Sequence, residues 1–260
     1  MSLPRVTVLI ANRNYENYLL QAIGSTIGQT YSNIQICIID DASTDKSVQV
    51  VNDFFSRFND VKRGAINPNI DLLMAIEDNR KYTAICCKNN LGPSGARNIG
   101  IDVTLNETEI YAILDADDFM YPNKIERCVQ KFLNYPDVGV VYANYDILNV
   151  ATNNLIREYK WPFSRQHLLN ECIVHSGSLI KKDVLLAIKE PTGYYDVNLT
   201  VAEDWDLWLR ASEKCTVAHI PESLTCVRNH NQSSVYYRNQ DTWNRCWHYV
   251  AQKTRMRNGQ

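Results

Sequence analysis

Three carboxylates crowd into the four residues Asp115-Ala116-Asp117-Asp118. Charges this close repel one another unless a cation neutralises them or solvent screens them. Hard carboxylate oxygens suit Mg2+ or Mn2+ bridging a diphosphate. An acidic turn capping the next helix would use the same residue types. The apolar run Tyr111–Leu114 leads into the cluster and Pro122 opens a helix after it, a placement that strengthens the metal reading.

Other polar groups follow apolar runs in the same way. After Ile34–Ile39 comes Asp40-Asp41-Ala42-Ser43-Thr44-Asp45. A carboxylate there, Asp41, can accept the imide N–H of a uracil ring, while Asp45 reads as the cap of the next helix. The glycine-punctuated stretch Asn89 to Gly100 runs into a helix, where backbone N–H groups and Arg97 can meet anionic oxygens. A surface salt bridge is the other role open to Arg97. Glu203 and Asp204 start an apolar helix; capping accounts for one carboxylate, and a second facing a cleft is a candidate general base for an acceptor hydroxyl. His230, in Arg228-Asn229-His230-Asn231, is a metal ligand, a phosphate contact or a structural histidine. No Gly-x-x-x-x-Gly-Lys-Ser/Thr loop is present, so a P-loop is not expected.

The elements that must position these groups alternate in the pattern of a parallel sheet with helices on both faces. Strands are expected at Val6–Ile10, Ile34–Ile39, Tyr82–Cys86, Tyr111–Leu114 and Val138–Ala143. Tyr18, Leu19, Ala22, Ile23, Thr26 and Ile27 repeat at helical spacing, as do Val48, Val51, Phe54, Phe55 and Phe58, and again Ile125, Cys128, Val129, Phe132 and Leu133. The stretch 59–81 is longer than a helix-to-strand return needs, and a short helix is expected around Leu72 to Glu77. Beyond Asn144 polar and aromatic residues mix less periodically, as in an acceptor-side elaboration ending in the run Ser178–Ile180. Tyr194, Tyr195, Trp205 and Trp208 either stack on sugar rings or fill the core, the core being the expected place for Trp208.

Bulk properties bound the class. A chain of 260 residues with 45% hydrophobic and 22% charged residues reads as one soluble globular unit. A net charge of -2 gives no global reason to bind nucleic acid, and the C-terminal group Arg245, Lys253, Arg255 and Arg257 is expected to be a solvated face. Eight cysteines include no Cys-x-x-Cys pair, which suits a reducing, cytoplasmic compartment; Cys172 and His175 are spaced like half a metal site with no second half. The apolar run Val6 to Ala11 is too short to span a bilayer, leaving at most peripheral membrane contact.

Taken in order, Val6 to Asn14, Gln29-Thr30-Tyr31, Asp40 to Asp45, Asn90 to Gly100, Asp115 to Asp118, Glu203-Asp204 and Arg228-x-His230 resemble the inverting family 2 glycosyltransferases. The resemblance implies the α/β GT-A fold: a Rossmann-like, mostly parallel central sheet flanked by helices, with an acceptor-side elaboration in the C-terminal half. It divides the chain into a nucleotide-sugar half (1–118), an acceptor and catalytic-base half (119–236) and a C-terminal helical tail (237–260). It implies that Ala11, Asn12, Asn14 and Asp41 meet the nucleoside, that Asp115 and Asp117 meet the donor ribose and metal, and that Asp118 shares the coordination. His230 would complete the diphosphate and metal end, Arg97 would meet the donor, Asp204 would be the catalytic base, and Glu203 and Trp205 would shape the acceptor pocket. The implied cofactor is Mn2+ or Mg2+; the implied partners are a nucleotide-sugar, UDP by virtue of Asp41, and a glycan or lipid-linked acceptor, as in polysaccharide biosynthesis.

Two positions depart from the family's pattern. Arg13 stands where an aromatic residue is usual, so a cationic contact replaces base stacking. Ala42 replaces the usual glycine and asks for ordinary backbone angles after Asp41. A nucleotidyltransferase with an Asp-rich metal site, and a catalytically silent sugar-nucleotide or glycan-binding protein, are the alternative readings.

Overall fold

The computed structural model describes residues 3–231 and 239–259. The stretch 232–238, where the expected acceptor half meets the expected tail, lies outside the described residues. In chain order the first half holds β1 (Val6–Asn12), α1 (Leu19–Ile27), β2 (Ile34–Asp41), α2 (Ser47–Phe55), β3 (Val61–Asn67), β4 (Ile70–Glu77), β5 (Arg80–Cys87), α3 (Gly92–Thr104) and β6 (Ile110–Asp115). There follow β7 (Phe119–Met120), α4 (Lys124–Asn134), β8 (Val138–Asn149), β9 (Asn154–Glu158), α5 (Arg165–Leu168), β10 (Leu179–Lys181), α6 (Lys182–Ala187), α7 (Glu203–Ala211), β11 (Thr216–Asn229) and α8 (Gln240–Arg257).

The eleven strands among the described residues form one mixed sheet in the order β3-β4-β5-β2-β1-β6-β10-β8-β11-β7, with β9 added to β8. Its centre, β5-β2-β1-β6, is parallel; antiparallel strands are added on both flanks, while β8 and β11 pair parallel. Strand β2 is buried along its whole length, as its near-continuous apolar run Ile-Gln-Ile-Cys-Ile-Ile requires of a strand covered on both faces. Helices α1, α2 and α4 seal one face, with Leu19, Ile23, Val51, Phe55, Ile125 and Val129 in its core. Helices α3 and α7 seal the other, where Ile101, Leu207 and Trp208 meet Leu9, Ile39 and Tyr111. Gly100 lets α3 lie close on the sheet: a Cβ there would sit 2.8 Å from Ile39 Cδ1.

The stretch expected to hold a helix at Leu72 to Glu77 is instead the β3–β4 hairpin. Leu73 and Ala75 alternate with more exposed neighbours and β4 pairs antiparallel with β5, a period of two in place of 3.6. Asp78 and Asn79, both at positive φ (49° and 61°), make the tight return from β4 to β5. Farther on, β8 continues past Ala143 to Asn149 and folds back as β9, so the irregular-looking segment after Asn144 begins as a hairpin.

The basic C-terminal group is not simply a solvated face. Lys253 Nζ reaches Glu190 Oε2 and Asp196 Oδ2 at 2.7 Å each and Asp206 Oδ1 at 3.1 Å, tying α8 to α7 and to the loop after α6. Arg257 adds a pair to Glu213 at 3.3 Å.

Candidate active site

The parallel strands β1, β2, β5 and β6 bring their carboxyl ends to one edge, so the polar segments following them meet there. Asn12 Nδ2 donates to Asp40 Oδ2 at 2.7 Å and to Ser43 Oγ at 3.2 Å, joining the ends of β1 and β2. Asn14 Oδ1 accepts from Thr44 N at 2.7 Å, and Asn14 N donates to Ser43 Oγ at 2.9 Å. Leu91 N donates to Asp41 Oδ1 at 2.6 Å, which fixes that carboxylate against the start of α3; burial pushes its pKa up, against the pull of the Leu91 hydrogen bond. Ala11 pairs with Ile39 on one side and Asp115 on the other, placing it in the floor of this edge. Arg13 Nη1 donates to Asp41 O at 2.8 Å, so the cationic departure is tied to the turn it flanks. Ala42, expected at ordinary angles, has φ 54°. The turn retains the left-handed geometry that suits glycine, and alanine carries its cost.

At the end of β6 the three acids take different partners. Asp115 Oδ1 accepts from Arg97 Nη2 at 2.6 Å and Oδ2 from Ser176 Oγ at 3.1 Å. Burial works to raise its pKa, but Arg97 outweighs it and holds the carboxyl below the usual range. Asp117 Oδ2 lies 3.2 Å from His230 Nε2, which brings the two expected metal ligands together. The His230 ring stacks on Tyr18 with centroids 4.7 Å apart and meets Tyr15 edge-on at 5.8 Å. Burial, then Asp117 and its neighbouring acids, push the Tyr15 phenol well up, so it stays a hydrogen-bond donor beside Asp117. Asp118 is turned into the protein: it is buried, and Oδ1 accepts from Arg228 N at 2.9 Å. Burial, then Asp117 and Asp115, raise its pKa well above the usual carboxylate value. The expected ligand Asp118 therefore serves to anchor the turn to β11. Among the described residues no group of three or more His, Cys, Asp or Glu side chains is arranged to hold an ion by itself.

Helix α7 starts from Ala202, a buried non-glycine residue at φ 60°, which aims Glu203 and Asp204 back toward the acid turn. Glu203 Oε1 accepts from Arg97 Nη1 at 2.7 Å, so one guanidinium, 5% exposed, spans Glu203 and Asp115. Arg97 is thus a buried bridge and not a surface salt bridge. Among the described residues Asp204 has no such ion pair. Its Oδ1 accepts from Trp205 N at 2.8 Å and Oδ2 has the Cys172 thiol at 3.9 Å. Burial, then Glu203, raise its pKa to about 7. The two adjacent carboxylates are thereby differentiated: Glu203 is engaged by Arg97, and Asp204 is poised to exchange a proton near neutrality. Trp205, expected to line an acceptor pocket, is instead buried; its indole donates to Leu168 O at 2.7 Å and its ring leans on Trp247. Tyr194, Tyr195 and Trp208 are likewise buried.

Sequence reasoning missed Tyr15, Tyr18, Ser176 and the contact made by Cys172. The signal for the first two was their position after β1, at the carboxyl edge where ligands gather. For Ser176 it was the polar, glycine-containing turn directly before β10.

A polar strand-end edge, an acid turn and a helix opening on two carboxylates meet on one α/β sheet of the GT-A architecture. Residues 7–175 match the model of the family described as glycosyl transferase family 2, and the chain belongs to that family. It is 25% identical over 219 residues to the chondroitin synthase of Pasteurella multocida, covering 84% of this chain and 20% of that protein. It is also 25% identical over 218 residues to the hyaluronan synthase of Pasteurella multocida, with the same shares covered. The chain thus spans about a fifth of the length of these relatives. Among solved structures it resembles S. aureus TarS in complex with UDP-GlcNAc, with a TM-score of 0.66 and 15% identity over 92% of this chain and 64% of that one. The mannosyltransferase PcManGT from Pyrobaculum calidifontis, in complex with GDP-Man and Mn2+, gives a TM-score of 0.60 and 14% identity over 96% and 70%. Among the described residues no helix is long and apolar enough to cross a membrane.

Proposed function

We propose that this glycosyltransferase moves a sugar from a UDP-sugar to a hydroxyl of a glycan or lipid-linked acceptor, by single displacement with inversion at the anomeric carbon. The observation that carries the reading is the Arg97 bridge between Asp115 and Glu203, which sets the donor acids beside the helix bearing Asp204. Asp204 takes the acceptor proton as the oxygen attacks, while Glu203 is engaged by Arg97. Asp41 supports uridine, because an acceptor carboxylate suits the imide N–H. The complex of S. aureus TarS with UDP-GlcNAc is in keeping with that choice.

A divalent Mn2+ or Mg2+ ion fits the donor chemistry of the acid turn, with Asp117 and His230 as the protein's ligands. When bound, the ion would neutralise charge on the departing diphosphate. Tyr15 and Tyr18 hold His230 against Asp117, and Asp118 fixes the turn through Arg228.

Asp204→Asn tests the reading. The variant is expected to bind UDP with Mn2+ as the wild type does and to transfer no sugar. Turnover at the wild-type rate would remove Asp204 from the role of base.

A further inference from the structure

Lys160 and His175, two hydrogen-bond donors that the proposed chemistry does not use, lie around the Tyr145 ring near the turn that meets Asp115. Lys160 follows β9, and its backbone N–H is fixed on Asn144 Oδ1 at 2.8 Å. Its ammonium lies 5.1 Å from the centre of the Tyr145 ring, whose other neighbour is the His175 ring at 4.5 Å. The acid within ion-pair range of Lys160 is Glu158, at 3.9 Å and itself 41% exposed, so that pairing is weak. Lys160 is also near enough to Cys172 to favour a charge there, and Cys172 Sγ is 3.9 Å from Asp204 Oδ2.

His175 is fixed as a donor. Its Nδ1 accepts from Gly177 N at 3.0 Å, so the neutral ring carries its proton on Nε2. Burial first, then Lys124, push its pKa down to about 3, which keeps the ring neutral. Glycine is required at 177, since a Cβ would stand 2.9 Å from the ring. The next residue, Ser176, donates to Asp115 Oδ2 at 3.1 Å, so this turn lines the cleft between the donor acid and the base.

The other cations of this region are committed. Arg97 serves Asp115 and Glu203, and Lys124 is buried, donating to Gly177 O at 2.6 Å and Thr225 Oγ1 at 2.7 Å. A neutral acceptor has no need of an ammonium at this turn, whereas an anionic one must overcome Asp115, Glu203 and Asp204 to approach. We infer that the acceptor carries an anionic group, a carboxylate or a phosphate, which docks on Lys160 Nζ and His175 Nε2 beside the attacked hydroxyl. This rests on Asp204 marking the acceptor side.

Calorimetry on the protein saturated with UDP and Mn2+ tests it independently of catalysis. The probes are a trisaccharide ending in a hexuronic acid, its carboxyl-reduced counterpart, and the same trisaccharide ending in a hexose phosphate. One acidic probe is expected to bind about tenfold tighter than the neutral one, the scale of a hydrogen bond to a charged group, and which one identifies the anion. Lys160→Met is expected to abolish that difference while leaving affinity for UDP and for the neutral probe unchanged. Equal binding of charged and neutral probes, binding of none of them, or equal weakening of all by Lys160→Met overturns the inference. Failure of Asp204→Asn to lose transfer, by contrast, strikes the base assignment and not this binding difference.

Discussion

Arg97 and Glu203, 106 residues apart in sequence, are joined by a 2.7 Å ion pair, and the same guanidinium holds Asp115 at 2.6 Å. Removing the cation would leave two carboxylates facing each other in a site with little water. Arg97→Met is therefore expected to destabilise the fold by about 3 kcal/mol, the scale for breaking a buried pair from one side. Urea unfolding measures the loss. A change below about 1 kcal/mol would mean that solvent already screens the two acids.

Asp204 sets a pH dependence whose sign follows from its shift. Its folded pKa, about 7, lies above the unfolded value of about 3.9. The folded chain therefore keeps a proton that the unfolded chain gives up. Stability from this group declines as pH rises from about 4 to about 7 and levels off above. Activity runs the other way, because the base must be ionised: kcat/KM is expected to climb with an apparent pKa near 7. Asp204→Asn is expected to flatten the decline in stability across that window. Denaturant midpoints at intervals between pH 4 and 8 read the first effect, and a pH–rate profile the second.

Much of this arrangement was legible in the sequence, because apolar strands followed at once by polar turns place their carboxyl ends without three-dimensional information. Asp41, Asp115 and Asp117 could be marked that way, and Asp204 by its place at the start of an apolar helix. What could not be read were partnerships between distant segments. Ser176 meets Asp115 and Cys172 meets Asp204 because β10 enters the sheet beside β6 and the loop before it crosses the cleft. Strand β4 was missed for a local reason: the Asp78-Asn79 turn into β5 is a return signal that outweighs the helix-like apolar content of Leu72 to Ile76. Trp205 was misplaced because a tryptophan next to a catalytic acid looks the same in sequence whether its ring faces a cleft or the core.

The strained turn after Asp41 offers a stability test. Ala42 at φ 54° pays about 1–2 kcal/mol for a left-handed conformation. Glycine would relieve this but gives back about 0.4–1 kcal/mol through a more flexible unfolded chain. Ala42→Gly is thus expected to stabilise the protein by about 0.5–1 kcal/mol in urea unfolding. A destabilised variant would show that the alanine methyl makes a contact worth more than the strain.

The three-acid grip on Lys253 gives the C-terminal helix a structural duty. Glu190, Asp196 and Asp206 converge on one ammonium, and Asp206 is fully buried. Lys253→Met is expected to cost about 2–3 kcal/mol, because it strands buried acid charge. Lys253→Arg should recover part of it. Since Trp247 of α8 leans on Trp205 of α7, undocking of α8 should also shift tryptophan fluorescence. A Met variant as stable as the wild type would show that the helix docks through its apolar residues alone.

Asp117 and His230, 3.2 Å apart, make the proposed metal ligands testable without any turnover. If the ion bridges these side chains and the diphosphate, wild-type affinity for UDP should rise at least tenfold, about 1.4 kcal/mol, on adding Mn2+. Asp117→Ala should abolish that increment and leave metal-free UDP binding near the wild-type value, because Asp41 and the β1–β2 edge are untouched. His230→Ala should reduce the increment less, since one carboxylate ligand stays in place. An increment that survives Asp117→Ala would assign the ion to other ligands, whereas loss of metal-free binding as well would make Asp117 a direct contact of the nucleotide.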